Sequence, residues 1–282
     1  RPLEALADGR PAMTVRLGWF TTARGPGSRG MYEAVTEAIA SGELDAEFAC
    51  VFCNREPGED EITDGFFDLV RANGHPLVTR SSVMHRRAVG GTLSRAGEPL
   101  PAWRSDFDAL IAEDLASYQF DVGMLAGYML IFTPTFVDQH PILNLHPATP
   151  TGPIGTWQQV IAELITGRAQ ESGVMLHLAM PEVDEGPVVA YCRYPLHSPD
   201  FAPHWAALPS DVASLDREAM QALPLFAALR EQGMRYESPL VVAALAEFGA
   251  GRLRIEGQTI VGDDGEPRSA VDLTDSVQAM LR

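Results

Sequence analysis

Cysteine is scarce in this sequence. There are three, Cys50, Cys53 and Cys192, an odd number too small for a disulfide framework. With no secretory leader in view, the expected setting is reducing and cytoplasmic. Basic residues are scarce as well: 21 against 38 acidic ones give a net charge of −17. Non-specific nucleic-acid binding needs basic surface, so DNA and RNA are poor partners. An anionic membrane surface is equally unsuitable. No apolar run reaches the about 18 residues that suggest a membrane-spanning helix. Repeats and low-complexity segments are missing too. An anionic ligand would have to be held locally, by arginines and backbone amides. The rest of the composition, 46% hydrophobic and 21% charged over 282 residues, is that of a soluble globular chain. It is long enough to bury a real core in one large or two small domains.

Apolar runs and turn residues set out the organisation. Strands are expected at Val15–Phe20, Ala46–Phe52, Pro76–Thr79, Val122–Leu125 and Ile142–Leu145. Helices are expected between and after them, at Met31–Ala40, Asp64–Asn73, Asp106–Tyr118, Pro134–Gln139 and Thr156–Thr166. That alternation predicts an α/β fold with a doubly wound, mostly parallel sheet. Past Gly167 the pattern changes. Strands at Gly173–Met180 and Val188–Pro195, irregular chain over 197–214, helices at Arg217–Gln232 and Pro239–Phe248, and a hairpin turning at Glu256-Gly257 complete the chain, with a loose helix as its tail. Residues 1–12 have no period and read as a disordered tail. Residues 13–282 read as a single domain, with a core over 13–196 and a C-terminal α+β extension over 197–282. Residues 80–102 read as a long loop. Its Arg80, Arg86 and Arg87 either face an anionic ligand as a lid or form a solvated basic loop.

Four local patterns are candidates for chemistry. Cys50-Val51-Phe52-Cys53 is formally C-x-x-C, but it lies in an apolar strand, where positions three apart point to opposite faces. Two core cysteines are expected, with no shared metal. Gly25-Pro26-Gly27-Ser28-Arg29-Gly30 matches G-x-G-x-x-G between a strand and a helix. Four residues separate it from the strand and Pro26 stiffens it, so three readings stay open: a dinucleotide turn, an anion site at a helix N-terminus with Arg24 and Arg29 adding charge, or an ordinary connection. Asn144 and His146, two apart in an apolar strand, share one face at its carboxyl end, where open α/β sheets place ligands. They are either a site or two polar groups satisfied by loop carbonyls. Asp184, in Val183-Asp184-Glu185-Gly186-Pro187, is by itself a turn residue.

Taken together, Asn-x-His-Pro, a helix, an apolar strand and Asp-x-Gly-Pro resemble the glycinamide ribonucleotide formyltransferase family, within the wider group of folate-dependent formyl transferases. Further segments carry the resemblance: Val51-Phe52-Cys53-Asn54-Arg55, Leu125-Ala126-Gly127-Tyr128-Met129, Thr133-Pro134-Thr135-Phe136-Val137, Gly173-Val174-Met175-Leu176-His177, Pro239-Leu240-Val241 and Gly251-Arg252-Leu253. It covers about residues 14 to 262. The resemblance implies a formyltransferase-like, Rossmann-related fold and transfer of a formyl group from 10-formyltetrahydrofolate, a co-substrate, to an amine. It implies Asn144, His146 and Asp184 as the catalytic set, with His177 near Asp184 or simply satisfied by backbone. Arg104, Tyr128, Met129, Leu130, Ile131 and Phe132 would line the folate site, two of the four apolar walls Tyr128, Met129, Ile131 and Phe132 competing with a role as plain core. Gly27, Ser28 and Arg29 would hold the acceptor's phosphate. No metal is required. Small molecules are the expected partners, and the chain is expected to be a monomer or homodimer.

The departures fall on the acceptor side. Arg29 and Gly30 replace the family's Asn after Gly-Ser, and Leu130 stands where its folate loop has Arg. Pro153-Ile154-Gly155-Thr156-Trp157 replaces Gly-Leu-His-Thr-His. Met234 aligns with the carboxylate that holds the acceptor's ribose, with Arg235 and Glu237 nearby. Glycinamide ribonucleotide or a related phosphorylated amine is the leading acceptor. A formyltetrahydrofolate hydrolase, a sugar-nucleotide N-formyltransferase and a fold that has lost catalysis are the alternatives.

Overall fold

The computed structural model describes residues 14–94, 98–180 and 186–282. The tail read at 1–12 and the candidate Asp184 lie outside them. An eight-stranded sheet runs through the molecule in the order β3 (Leu77–Thr79), β2 (Ala46–Cys53), β1 (Val15–Thr21), β4 (Val122–Leu125), β5 (Ile142–His146), β6 (Glu171–Leu178), β7 (Val188–Pro195) and β10 (Val271–Asp272). The first five are parallel; β6 runs antiparallel to both β5 and β7. The expected α/β sheet is therefore present. Its last strand, β10, was not expected: two residues of the C-terminal tail return to pair parallel with β7.

Period-two alternation along the strands sorts side chains to two layers. Leu17, Trp19, Cys53 and Leu143 face α1 (Pro26–Ser41), α2 (Glu61–Ala72), α6 (Trp157–Thr166) and α9 (Pro224–Gly249) in the larger core. Phe20, Cys50, Phe52 and Ile142 face α4 (Trp103–Leu115) and α5 (Pro134–Val137) in a smaller, aromatic-rich one. Cys50 and Cys53 thus lie in different cores, both 0% exposed, which is why they cannot share a metal. Burial pushes both thiols up to about 12, and Cys192 likewise.

The structure corrects three expectations about elements. The segment 80–102 is not all loop: Ser81 caps a helix, α3 (Ser82–Ala88), by accepting from the Met84 N–H. The segment 197–214 also holds a short helix, α7 (Ala202–Ala206). The two helices expected around Pro239 are α8 (Arg217–Gln221) and one continuous α9 of 26 residues with Pro239 inside it. An interior proline costs a helix about 3 kcal/mol. Here Leu240, Val241, Ala244 and Leu245, all 0% exposed, offset that by packing the second half of the helix into the larger core. The hairpin is present as β8 (Leu253–Glu256) and β9 (Thr259–Gly262), turning through Gly257 at φ +63.

Candidate active site

Strand order reverses at β1, which has β2 on one side and β4 on the other. The crevice at the carboxyl ends of strands beside such a switch point is where open α/β sheets bind ligands. Two loops meet there. The chain after β1 carries Thr22, whose N–H donates to the Gly127 carbonyl at 3.2 Å and whose hydroxyl accepts from the Met129 N–H at 3.0 Å. The chain after β4 is the 126–133 loop. Gly127 sits at φ +68, a left-handed conformation, and a Cβ there would lie 2.8 Å from the Ser28 Cβ. Only glycine meets both demands.

The 126–133 loop is held from behind. Arg104 and Asp108, one helical turn apart on α4, are 1% and 3% exposed. Arg104 Nη2 donates to the Ile131 carbonyl. Asp108 accepts from the Thr133 N–H at 2.6 Å. Burial raises the Asp108 pKa and lowers that of Arg104; the two charges are 3.9 Å apart. Arg104, a candidate folate contact in the sequence, is therefore placed beneath the loop rather than at the wall of the pocket. Tyr128, Phe132 and Phe136 stack in a ladder, with centroids 4.7 Å and then 4.1 Å apart. Tyr128 and Phe132 are buried core, whereas Met129 and Ile131 are 75% and 41% exposed.

A pocket of about 200 Å³ opens beside this loop, lined by Tyr128, Met129, Leu130, Ile131 and Phe132 on one side and Asn144 and His177 on the other. The sheet register brings the two polar groups together: Asn144 of β5 lies directly opposite His177 of β6. His177 Nδ1 donates to the Leu178 carbonyl at 3.0 Å. Its Nε2, in the neutral ring, then accepts from the Asn144 amide at 3.2 Å. The side chain of His146, 3% exposed, donates from Nε2 to the Pro153 carbonyl at 3.0 Å, which ties it to the loop after β5. The far end of the 181–185 connection is anchored close by. The Leu178 N–H donates to the Pro187 carbonyl at 3.0 Å. A Cβ on Gly186 would lie 1.8 Å from the Leu178 carbonyl oxygen, so the glycine of Asp-x-Gly-Pro is required by packing.

Gly27, Ser28 and Arg29 belong to the first turn of α1, not to a glycine loop. Pro26 starts the helix and Gly25 caps it without a side-chain bond. That geometry removes the dinucleotide turn and keeps an N-terminus able to meet an anion. The charges expected to help are engaged: Arg29 with Glu33 at 2.9 Å, Arg24 with Asp60 at 3.2 Å. Arg80 is held by Asp114, and Arg86 donates to the Gly91 carbonyl at 3.3 Å, so the lid reading has no support from Arg80. Sequence reasoning missed Asp108. Its signal was the spacing from Arg104, four residues on an expected helix.

The Formyl transferase family model matches residues 26–201. The chain belongs to the formyl transferase family. Among curated relatives, the phosphoribosylglycinamide formyltransferase of Saccharomyces cerevisiae is 36% identical over 171 residues, 57% of this chain and 75% of that protein. The Haemophilus influenzae protein of the same name is 27% identical over 172 residues, 60% of this chain and 69% of that one. The structure of the phosphoribosylglycinamide formyltransferase of Coxiella burnetii superposes with a TM-score of 0.61 at 19% identity, covering 92% of this chain and all of that one. Among the described residues, no helix is long and apolar enough to cross a membrane.

Proposed function

We propose that this chain moves a formyl group from 10-formyltetrahydrofolate to the amine of glycinamide ribonucleotide or a closely related phosphorylated amine. The observation that carries the reading is the placement of Asn144 and His177 on the wall of an apolar pocket, with His146 two residues on in the same strand, in a member of this family. The folate's pterin would enter between the 126–133 loop and Ala179, with Met129 and Ile131 as the exposed walls. The amine attacks the formyl carbon, a C–N bond forms, and an oxyanion develops. Protonated His146 and the Asn144 amide would stabilise it; such donors are worth about 3 kcal/mol each in a dry site. His177 fixes the direction of the Asn144 amide. Asp184 is proposed as the carboxylate that favours the charged form of His146. It would also pass the proton from the attacking amine to N10 as the C–N10 bond breaks, releasing tetrahydrofolate. The acceptor's phosphate would sit at the start of α1, against the N–H groups of Gly27 and Ser28.

The test is turnover by single variants. His146→Ala and Asn144→Ala are each expected to lower kcat by about a hundredfold or more with little change in folate KM. Unchanged turnover in both would end this assignment. Tetrahydrofolate and formate released without an amine would mark a hydrolase instead.

A further inference from the structure

A larger pocket, about 570 Å³, opens between the start of α6 and the first half of α9. It extends from the acceptor side, where Met234 aligns with the family's ribose-holding carboxylate, to Trp157 and Phe226. Trp157, first residue of α6, forms one wall. It is 37% exposed, whereas Trp19, Trp103 and Trp205 are at most 7% exposed. Its ring lies 5.9 Å from that of Phe226. The Arg230 guanidinium sits 4.9 Å from its centroid. Arg230 also donates to Glu237, 5% exposed, at 2.7 Å. Its charge is therefore neutralised where it stands, and it contributes a planar surface more than a field. Arg235, exposed on the same wall, has no ion pair among the described residues. The pocket adjoins the proposed phosphate site: the Met234 Cε lies 4.0 Å from where a Cβ on Gly27 would be.

These features select a ligand class. A pocket of a few hundred Å³, mostly apolar with a few placed charges, is the usual form of a small-molecule site; here the charges are Arg230, Glu231 and Arg235. Trp157 and Arg230 offer flat, desolvatable surface above the buried Phe226, and such surface gains most by stacking a planar ring. A ribose phosphate has no such face and would leave the Trp157 ring in water. Arg235 supplies one cation at the rim, enough for one anionic group. We propose that this pocket is a subsite for a nucleotide-class ligand, its heteroaromatic ring on Trp157 and its phosphate toward Arg235. Given the formyl-transfer reading, on which this part alone rests, the ring belongs to the amine acceptor. The preferred acceptor is then a related phosphorylated amine that also carries a base, with one phosphate at the start of α1 and a second toward Arg235; glycinamide ribonucleotide, which has no base, fills only the α1 end.

Binding is read without any formyl donor, from the emission of the exposed Trp157 and by calorimetry, using AMP, UMP and ribose 5-phosphate. AMP or UMP should quench Trp157 saturably and bind at least about tenfold more tightly than ribose 5-phosphate. Trp157→Ala and Arg235→Ala should each weaken nucleotide binding by about tenfold, while Trp157→Phe keeps most of it in calorimetry. Three results would overturn the subsite. These are equal binding of ribose 5-phosphate, unchanged nucleotide affinity in folded Trp157→Ala, or no nucleotide binding at millimolar concentration. A failed formyl-transfer assay with nucleotide binding intact would count against the chemistry and not the pocket.

Discussion

Arg104 and Asp108 give the sharpest test of how the 126–133 loop is held. Both side chains are almost fully buried, and their closest charged atoms are 3.9 Å apart, too far for a strong hydrogen bond. Arg104 Nε and Asp108 Oδ1 have no hydrogen-bond partner among the described residues. Such a pair is not an efficient source of stability, because two desolvation costs offset the attraction. Removing one member is a different matter. Asp108→Asn keeps an oxygen for the Thr133 N–H but leaves Arg104 as a buried unpaired cation, at a cost of about 3 kcal/mol. Arg104→Met strands the Asp108 carboxylate and loses the bond to the Ile131 carbonyl, again about 3 kcal/mol. The double variant removes both charges and keeps the Thr133 bond. Its cost should be about 2 kcal/mol, mainly the lost bond to Ile131, not the sum of about 6. Urea unfolding of the four proteins measures this cycle. Additive single costs would refute the claim that the charges are coupled, and a neutral Arg104→Met would refute the claim that it carries the loop.

Four further outcomes follow from the geometry. Gly127→Ala combines a left-handed backbone with a 2.8 Å approach to Ser28, so it should cost about 2 kcal/mol or more in unfolding experiments and raise the folate KM. Gly186→Ala cannot be placed without moving the Leu178 backbone; a steady-state assay should find a kcat loss of at least about tenfold, since the end of the Asp184 connection must shift. The three cysteines are buried with thiols pushed up to about 12, so the native protein should resist iodoacetamide at pH 8 and be labelled at all three once unfolded. The same shift sets a pH dependence. Unfolded thiols ionise near pH 9 while folded ones do not, so this contribution is intact below pH 9. It is lost between 9 and 12, at up to about 1.4 kcal/mol per pH unit per cysteine. Denaturation midpoints measured across that range check it.

Much of the fold could be read from the sequence because strand alternation and turn residues act locally. Ile142-Leu143-Asn144-Leu145-His146 puts two polar residues on one face whatever its neighbours are, and the sheet register then brings His177 opposite Asn144. What could not be read depends on partners distant in sequence. Pro239 looks like a helix boundary until the packing of Leu240 and Val241 is known. Val271-Asp272 has no strand signal of its own and pairs only because β7 offers a free edge. Arg104 looks like a ligand contact because its segment resembles the one that carries the family's arginine near the folate site. Only its 1% exposure and its bond to Ile131 place it beneath the loop. The glycines of 25–30 looked like a loop because glycine is rare within helices, yet Pro26 at the first helical position is a start signal.

The most direct test of the central claim is consumption of 10-formyltetrahydrofolate by the purified chain, with and without glycinamide ribonucleotide, in wild type and in His146→Ala. The account predicts amine-dependent release of tetrahydrofolate in wild type and loss of about two orders of magnitude in the variant. Equal turnover by the two proteins would contradict it.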